Sequence, residues 1–263
     1  MAYTAPAFMV SHPSDSIGIS AISDANSQLT DDSKRALIDT RLGRIASFTT
    51  SVATHAITLD FTGFTFLANH LVIPSGHNIT GTVEALSGAT SGTVISRGST
   101  VAAAGAAIEV EYSGGFTDAV HRVDFEGTGQ WSLGELWIGF KRTVTIGRVD
   151  PGFARGFDSP RTVQELPTRD EVLQLGPRRR RFSIRIRSVE GLSLGGAFEK
   201  AVLDSVARVG RFRPFLYWPP DTDELLKPVL VQLESDARIT QDFPVPAAKT
   251  TWQYEFQMVE VTS

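Results

Sequence analysis

Apolar and polar residues alternate with a two-residue period over much of the chain. In "HAITLDFTGF", Ile57, Leu59 and Phe61 fall on one side and Thr58 and Asp60 on the other, which is the pattern of a half-buried strand. "FTFLANHLVI" is more uniformly apolar, as in a central strand covered on both faces. "ITGTVEAL", "GTVISRG", "AAIEVEY", "HRVDFEG" and "LGELWIGF" follow as short strand candidates separated by Gly, Ser and Thr clusters. Many short strands with frequent turns predict a sandwich, not a sheet of βαβ units.

The pattern breaks between Arg148 and Pro177. "VDPGFARGFDSPRTVQELPTRDEV" holds no sustained period and is too long for an ordinary loop, so it predicts a linker, an extended arm or a partner-binding segment. Alternation then returns. Phe182, Ile184 and Ile186 share one face of "RFSIRIRSVEG", with Arg181, Ser183, Arg185 and Arg187 on the other. "GAFEKAVLDSVARVG" places Phe198, Val202, Val206 and Val209 at helical spacing between flanking glycines, which predicts the one substantial helix, over about 196–209. "PVLVQLES" predicts a strand. In "TTWQYEFQMVEV", Trp252, Tyr254, Phe256 and Met258 oppose Gln253, Glu255 and Gln257, the mark of a strand pinned inside a sheet.

Length and charge narrow the function. The 263 residues suffice for two modest domains or one large β unit. A formal net charge of −4 argues against general affinity for nucleic acid or anionic membrane. With no cysteine, disulfides and thiolate chemistry are both ruled out. The opening "MAYTAPAFMVSHPSD" has neither a basic n-region nor a long apolar stretch, so no secretory signal is expected. No apolar run is long enough for a membrane-spanning helix.

Candidate chemistry is sparse. The five histidines, His12, His55, His70, His77 and His121, do not pair at zinc-ligand spacing, so neither a metal nor any other cofactor is expected. His70 sits in an apolar run and reads as a packed side chain. His77 and Asn78 follow a Pro-Ser-Gly turn, where both side chains can bond nearby backbone; they read as a structural corner. There is no G-x-S-x-G, no P-loop and no dinucleotide fingerprint. Asp221, Asp223 and Glu224 cluster beside Trp218 in "WPPDTDELLKP". An acid pair of this kind serves glycosidases, but the flanking prolines favour a solvated loop. Arg178, Arg179, Arg180 and Arg181, extended by Arg185 and Arg187, form a basic ribbon. In an acidic chain such a ribbon suits carboxylates of a protein partner better than nucleic acid.

The stretches "ITLDFTGFTFLANHLVIPSGHNITGTVEALSG", "AIEVEYSGG" and "HRVDFEGTGQWSLGELWIG" resemble the galactose-binding-like (discoidin-type) β-sandwich of tailed-phage tail and baseplate proteins. The His77–Asn78 turn and the Leu133–Gly139 close carry the likeness. "RFRPFLYWPP" and the "W.y.f.m.Ev" ending are similar to the closing part of phage tail-tip proteins. The resemblance implies a mainly β chain, with a galactose-binding-like sandwich and a second β domain carrying one helix. Residues 1–29 would be an N-terminal arm, 30–145 the sandwich, 146–177 a linker or extended arm, and 178–263 the C-terminal domain. One order open to it pairs the arm with the C-terminal domain and makes the sandwich an insertion.

The function so implied is that of a non-enzymatic structural component of a virion tail tip or baseplate, of the distal-tail or minor-tail kind. It would form a symmetric ring and connect tail tube to hub, through interfaces at the arginine ribbon and at Asp221, Asp223 and Glu224. The alternative is a glycan-binding module of the virion contacting host-surface sugars, for which Trp131, at a loop edge, is the candidate contact. Neither reading involves nucleic acid or membrane insertion.

Overall fold

The structure, a computed structural model, describes residues 5–25, 28–39, 44–50, 53–64, 68–74, 77–88, 94–103, 106–112, 120–127, 129–144, 149, 154–158, 161–165, 171–175, 179–189, 194–220, 228–242 and 251–261. The chain is mainly β and divides into two units. The sandwich unit comprises Ala7–Arg142 with Asp223–Pro228; the second comprises Met1–Pro6, Thr143–Thr222 and Val229–Ser263. Pro6 and Val144 of the second unit meet where the chain leaves and returns, the Val144 N–H donating to the Pro6 carbonyl at 2.8 Å.

The sandwich unit runs β1 (Ala7–Met9), β2 (Ile22–Asp24), α1 (Asp31–Ile38), β3 (Ala46–Thr50), β4 (Thr54–Asp60), β5 (His70–Ile73), β6 (Gly81–Gly88), β7 (Val94–Ala102), β8 (Ile108–Glu111), β9 (Val120–Glu126), β10 (Gly129–Leu133) and β11 (Trp137–Gly139). One antiparallel sheet has the order β2-β4-β9-β6-β7. Opposite it stand β11-β5-β8 and the β10-β3 pair. A single core fills the space between them: Ile57, Leu59, Val83, Val123 and Phe125 from the first sheet, Leu71, Ile73, Ile108, Val110 and Ile138 from the second, and Phe48 and Leu133 from the pair. Ile57, Leu59 and Phe61 are fully buried, on the side that the alternation predicts.

A short helix in this unit goes unpredicted by the sequence. Thr30 caps α1, its hydroxyl accepting from the Ser33 N–H at 3.2 Å, and Asp31 and Asp32 occupy the favourable first turn. Ala36, Leu37 and Ile38 are buried. Eight residues give too few turns for the periodicity to stand out.

After β12 (Arg142–Thr143) the second unit contains β13 (Ala154–Asp158), β14 (Arg161–Glu165), β15 (Glu171–Leu175), β16 (Arg179–Val189), α2 (Leu194–Val209), β17 (Phe215–Trp218), β18 (Val229–Leu233), β19 (Arg238–Asp242) and β20 (Thr251–Glu260). Within it the sheet order is β17-β18-β20-β16-β13, and β19 also pairs with β20. The β16–β20 ladder runs nine residue pairs, from Arg181↔Val259 to Val189↔Thr251. It buries Phe182, Ile184, Ile186, Tyr254, Phe256 and Met258, as alternation assigns, while Trp252, assigned to the same face, is only half-buried.

Parts of the segment 148–177 are paired strands. Ala154–Asp158 pairs with β16, and β14 and β15 form a two-stranded hairpin. Pairing, not an apolar period, makes these strands, so periodicity does not reveal them. Helix α2 begins at Leu194, and its described buried side chains include Glu199, Leu203 and Val206, the last of which the spacing assigns inward.

Candidate functional site

The sandwich unit holds an open depression of about 280 Å³ lined by Ser14, Gly18, Ile19, Arg35, Ile38, Asp39 and Arg44. Three short elements build it. A 3-10 turn, Pro13–Asp15, carries Ser14. It is held by a reciprocal cap: the Ser14 N–H donates to His12 Nδ1 at 3.3 Å, and the His12 N–H donates to Asp15 Oδ2 at 3.0 Å. The Ser14 hydroxyl also lies 2.8 Å from His12 Nδ1. His12 is fully buried, with its ring edge-on to Trp137 at 4.4 Å. A second 3-10 turn, Ile19–Ala21, follows Gly18. Helix α1 supplies Arg35 and Ile38 and ends at Asp39.

Charge in the depression is unbalanced. Two arginines and one aspartate line it, a net of one positive charge. Arg44 Nη1 lies 3.2 Å from Asp39 Oδ2, with 49 % of the arginine side chain exposed. Arg35, 55 % exposed, is 3.7 Å from Asp32, which is itself 92 % exposed; such a contact contributes little. Nearby lies Glu135, only 4 % exposed, whose Oε2 accepts from the Trp137 indole N–H at 2.7 Å. Burial pushes its carboxyl up to about 7, the Trp137 hydrogen bond opposes the rise, and the Asp39 charge adds to it. This arrangement can bind a polar ligand through fork-shaped donors, a carboxylate acceptor and a hydroxyl, with Ile19 and Ile38 offering apolar contact.

None of these lining residues stands out in the sequence. Ser14, Arg35, Asp39 and Arg44 form no motif, and only the fold of the first 45 residues brings them together.

The sequence-derived candidates lie elsewhere. His77 and Asn78 form a clasp. His77 is buried, its Nδ1 accepts from the Ile79 N–H at 3.1 Å, and its Nε2 lies 2.5 Å from the Ala106 carbonyl. Burial holds its pKa below 6.5, with the Ala106 bond opposing. The Asn78 side chain donates to the Gln130 carbonyl at 3.0 Å and accepts from the Ser132 N–H at 2.6 Å. His70 is also buried, with Nδ1 2.9 Å from Asn69 Oδ1 and Nε2 3.4 Å from Glu109. Among the described residues, no three His, Asp or Glu side chains gather as a metal site, and no helix is long and apolar enough to cross a membrane.

Trp131, the candidate sugar contact, is corrected by its burial. It is 5 % exposed, paired with Phe48 across β10 and β3, and tilted against Phe125 at 6.4 Å. A ring inside the core offers no face to a saccharide.

The arginine ribbon meets carboxylates of its own chain. Arg180 makes a two-pronged contact with Glu260, at 2.9 Å through Nε and 2.5 Å through Nη2. Arg181 pairs with Glu234 at 2.5 Å and Arg185 with Glu255. The register causes this, because Arg185 faces Glu255 across the ladder. Arg181 and Arg185 stay about half exposed beside these carboxylates. Arg187 and Arg179 complete the described part of the ribbon, on β16. Arg178, Asp221, Asp223 and Glu224 lie outside the described residues.

No protein-family model matches the chain, and no curated protein matches it. Solved structures similar to part of it include the lectin domain of lectinolysin complexed with Lewis B antigen, at 14 % identity and a TM-score of 0.35, covering 44 % of this chain and 89 % of that one. Another is a Clostridium perfringens module in complex with GalNAc-β-1,3-galactose, at 16 % identity and a TM-score of 0.37, covering 46 % and 97 %. A third is chitosan-binding module 1 of a chitosanase/glucanase from Paenibacillus sp. IK-5, at 14 % identity and a TM-score of 0.36, covering 45 % and 93 %.

Proposed function

We propose that the chain is a glycan-binding protein with the sandwich unit as its binding module, a receptor-binding part of a virion in keeping with the sequence resemblance. The observation that carries this reading is the braced depression formed by Ser14, Gly18, Asp39 and Arg44. Its mix of charged forks, acceptors and apolar rim suits a ring bearing several hydroxyls. The reading is of a binder and not an enzyme.

Gly18 provides the test. Its backbone, at φ −101° and ψ 179°, is one that any residue adopts, and a Cβ there meets nothing within 4 Å. Gly18→Phe therefore sets a bulky ring at the edge of the depression without straining the fold. The purified chain is expected to bind a restricted set of glycans on a broad array, and Gly18→Phe to abolish that binding. Silence across the array, or binding unchanged by Gly18→Phe, would overturn the reading.

A second reading, a structural tail-tip component assembled as a symmetric ring between tail tube and hub, is favoured by chain connectivity. The second unit draws on both sides of the Pro6–Val144 junction, with the sandwich as an excursion between them. Light scattering should then give the mass of a closed oligomer; a strict monomer at all concentrations would count against it.

A further inference from the structure

We infer that the ligand of the Ser14–Arg44 depression is an acidic sugar, its single negative charge a carboxylate or a sulfate ester held by Arg35 and Arg44. The inference rests on the glycan-binding reading and adds the ligand's charge.

The contrast among arginines makes the case. Arg180 and Arg185 are matched by carboxylates of the adjoining strand β20 and Arg181 by Glu234. Arg211 is held more loosely, by the exposed Asp236 at 3.4 Å, and the depression gathers two arginines of that loosely held kind. Among the described residues, Arg35 pairs with the solvent-exposed Asp32 at 3.7 Å, and Arg44 shares Asp39, which itself lines the cavity. Two guanidinium groups against one lining carboxylate leave a demand for one negative charge. Planar forks meet an oxyanion with two parallel hydrogen bonds. Asp39, 22 % exposed, disfavours a doubly charged phosphate and accepts from sugar hydroxyls instead. Ser14 adds a hydroxyl fixed by its contact with buried His12. The width at Gly18 and the side chains of Ile19 and Ile38 leave room for the carbon face of a ring.

The experiment uses the full chain on an array carrying sialylated, uronate-containing and sulfated glycans, each beside its neutral counterpart (methyl ester or desulfated form). The wild type is expected to bind one acidic class at least tenfold more strongly than the neutral partner. That preference should disappear in Arg35→Met and Arg44→Met while both still melt cooperatively. Loss of one ion-assisted contact of about 1.5 kcal/mol or more corresponds to such a factor. The sialylated and uronate arms report a carboxylate, and the sulfated arm an ester. Equal binding of neutral and acidic forms would overturn the inference and leave glycan binding standing. So would a preference that survives both substitutions. Binding of no glycan at all would overturn both. Should an arginine variant fail to fold, the wild-type comparison with neutral counterparts decides alone.

Discussion

Single residues in this protein settle local problems that pattern cannot show. Gly98 on β7 passes so close to β8 that a Cβ would stand 2.0 Å from the Glu111 carbonyl oxygen. Gly98→Ala should lower stability by about 3 kcal/mol, the upper part of the usual range for overpacking, as read by urea denaturation. Asn78 ties the corner before β6 to β10 through two side-chain hydrogen bonds. Removing them in Asn78→Ala should cost about 1–2 kcal/mol, with the unfolding midpoint shifting and the m-value unchanged. The sequence marks this turn but not its partner strand, because Gln130 and Ser132 lie more than fifty residues away.

Glu135 gives a pH dependence at the same scale. Its folded pKa, pushed up to about 7, exceeds the ordinary value of 4.5. The folded state therefore holds the proton more tightly. The associated stability is present below pH 4.5 and is lost as pH rises through 7, a loss of a few kcal/mol. Glu135→Gln should flatten that limb of the stability–pH curve; an unchanged limb would show that Glu135 is not its source. On the acid side His55 and His77 act oppositely, since burial holds both below 6.5, so their contribution falls as acid protonates them.

At the scale of elements, alternation is the most legible signal. It locates β4, β16 and β20 because each has one buried face. The short helix α1 and the β14–β15 hairpin escape it, the first for its length and the second because pairing alone defines it. Charge is legible only as composition. The run at 178–187 reads as an unsatisfied ribbon until the register sets Arg185 opposite Glu255 and brings Arg180 to Glu260. Burial raises the Glu260 pKa, but its hydrogen bonds to the Arg180 side chain and N–H outweigh this and leave it lowered. Both side chains are under 20 % exposed. Arg180→Met should therefore cost about 2 kcal/mol, between the roughly 0–1 of an exposed pair and the 3–5 of a fully buried one. Thermal unfolding at low and high salt checks this, and a loss that vanishes in salt would mean a mere surface contact.

For the whole molecule, two β units and a dispersed depression explain why fold and function differ in legibility. Cores announce themselves through many residues repeating one choice. A depression lined by a few side chains from separate short elements repeats nothing, so Arg35, Asp39 and Arg44 stay invisible until the chain is folded. The conspicuous aromatic, Trp131, goes the other way and serves the core.

The most direct measurement is a crystal structure of the chain with a glycan selected from the array. The account predicts the saccharide in the depression between the Pro13–Asp15 turn and the end of α1, within hydrogen-bond reach of Arg44, Asp39 or Ser14. A saccharide bound elsewhere on the sandwich, or on the second unit, would contradict it.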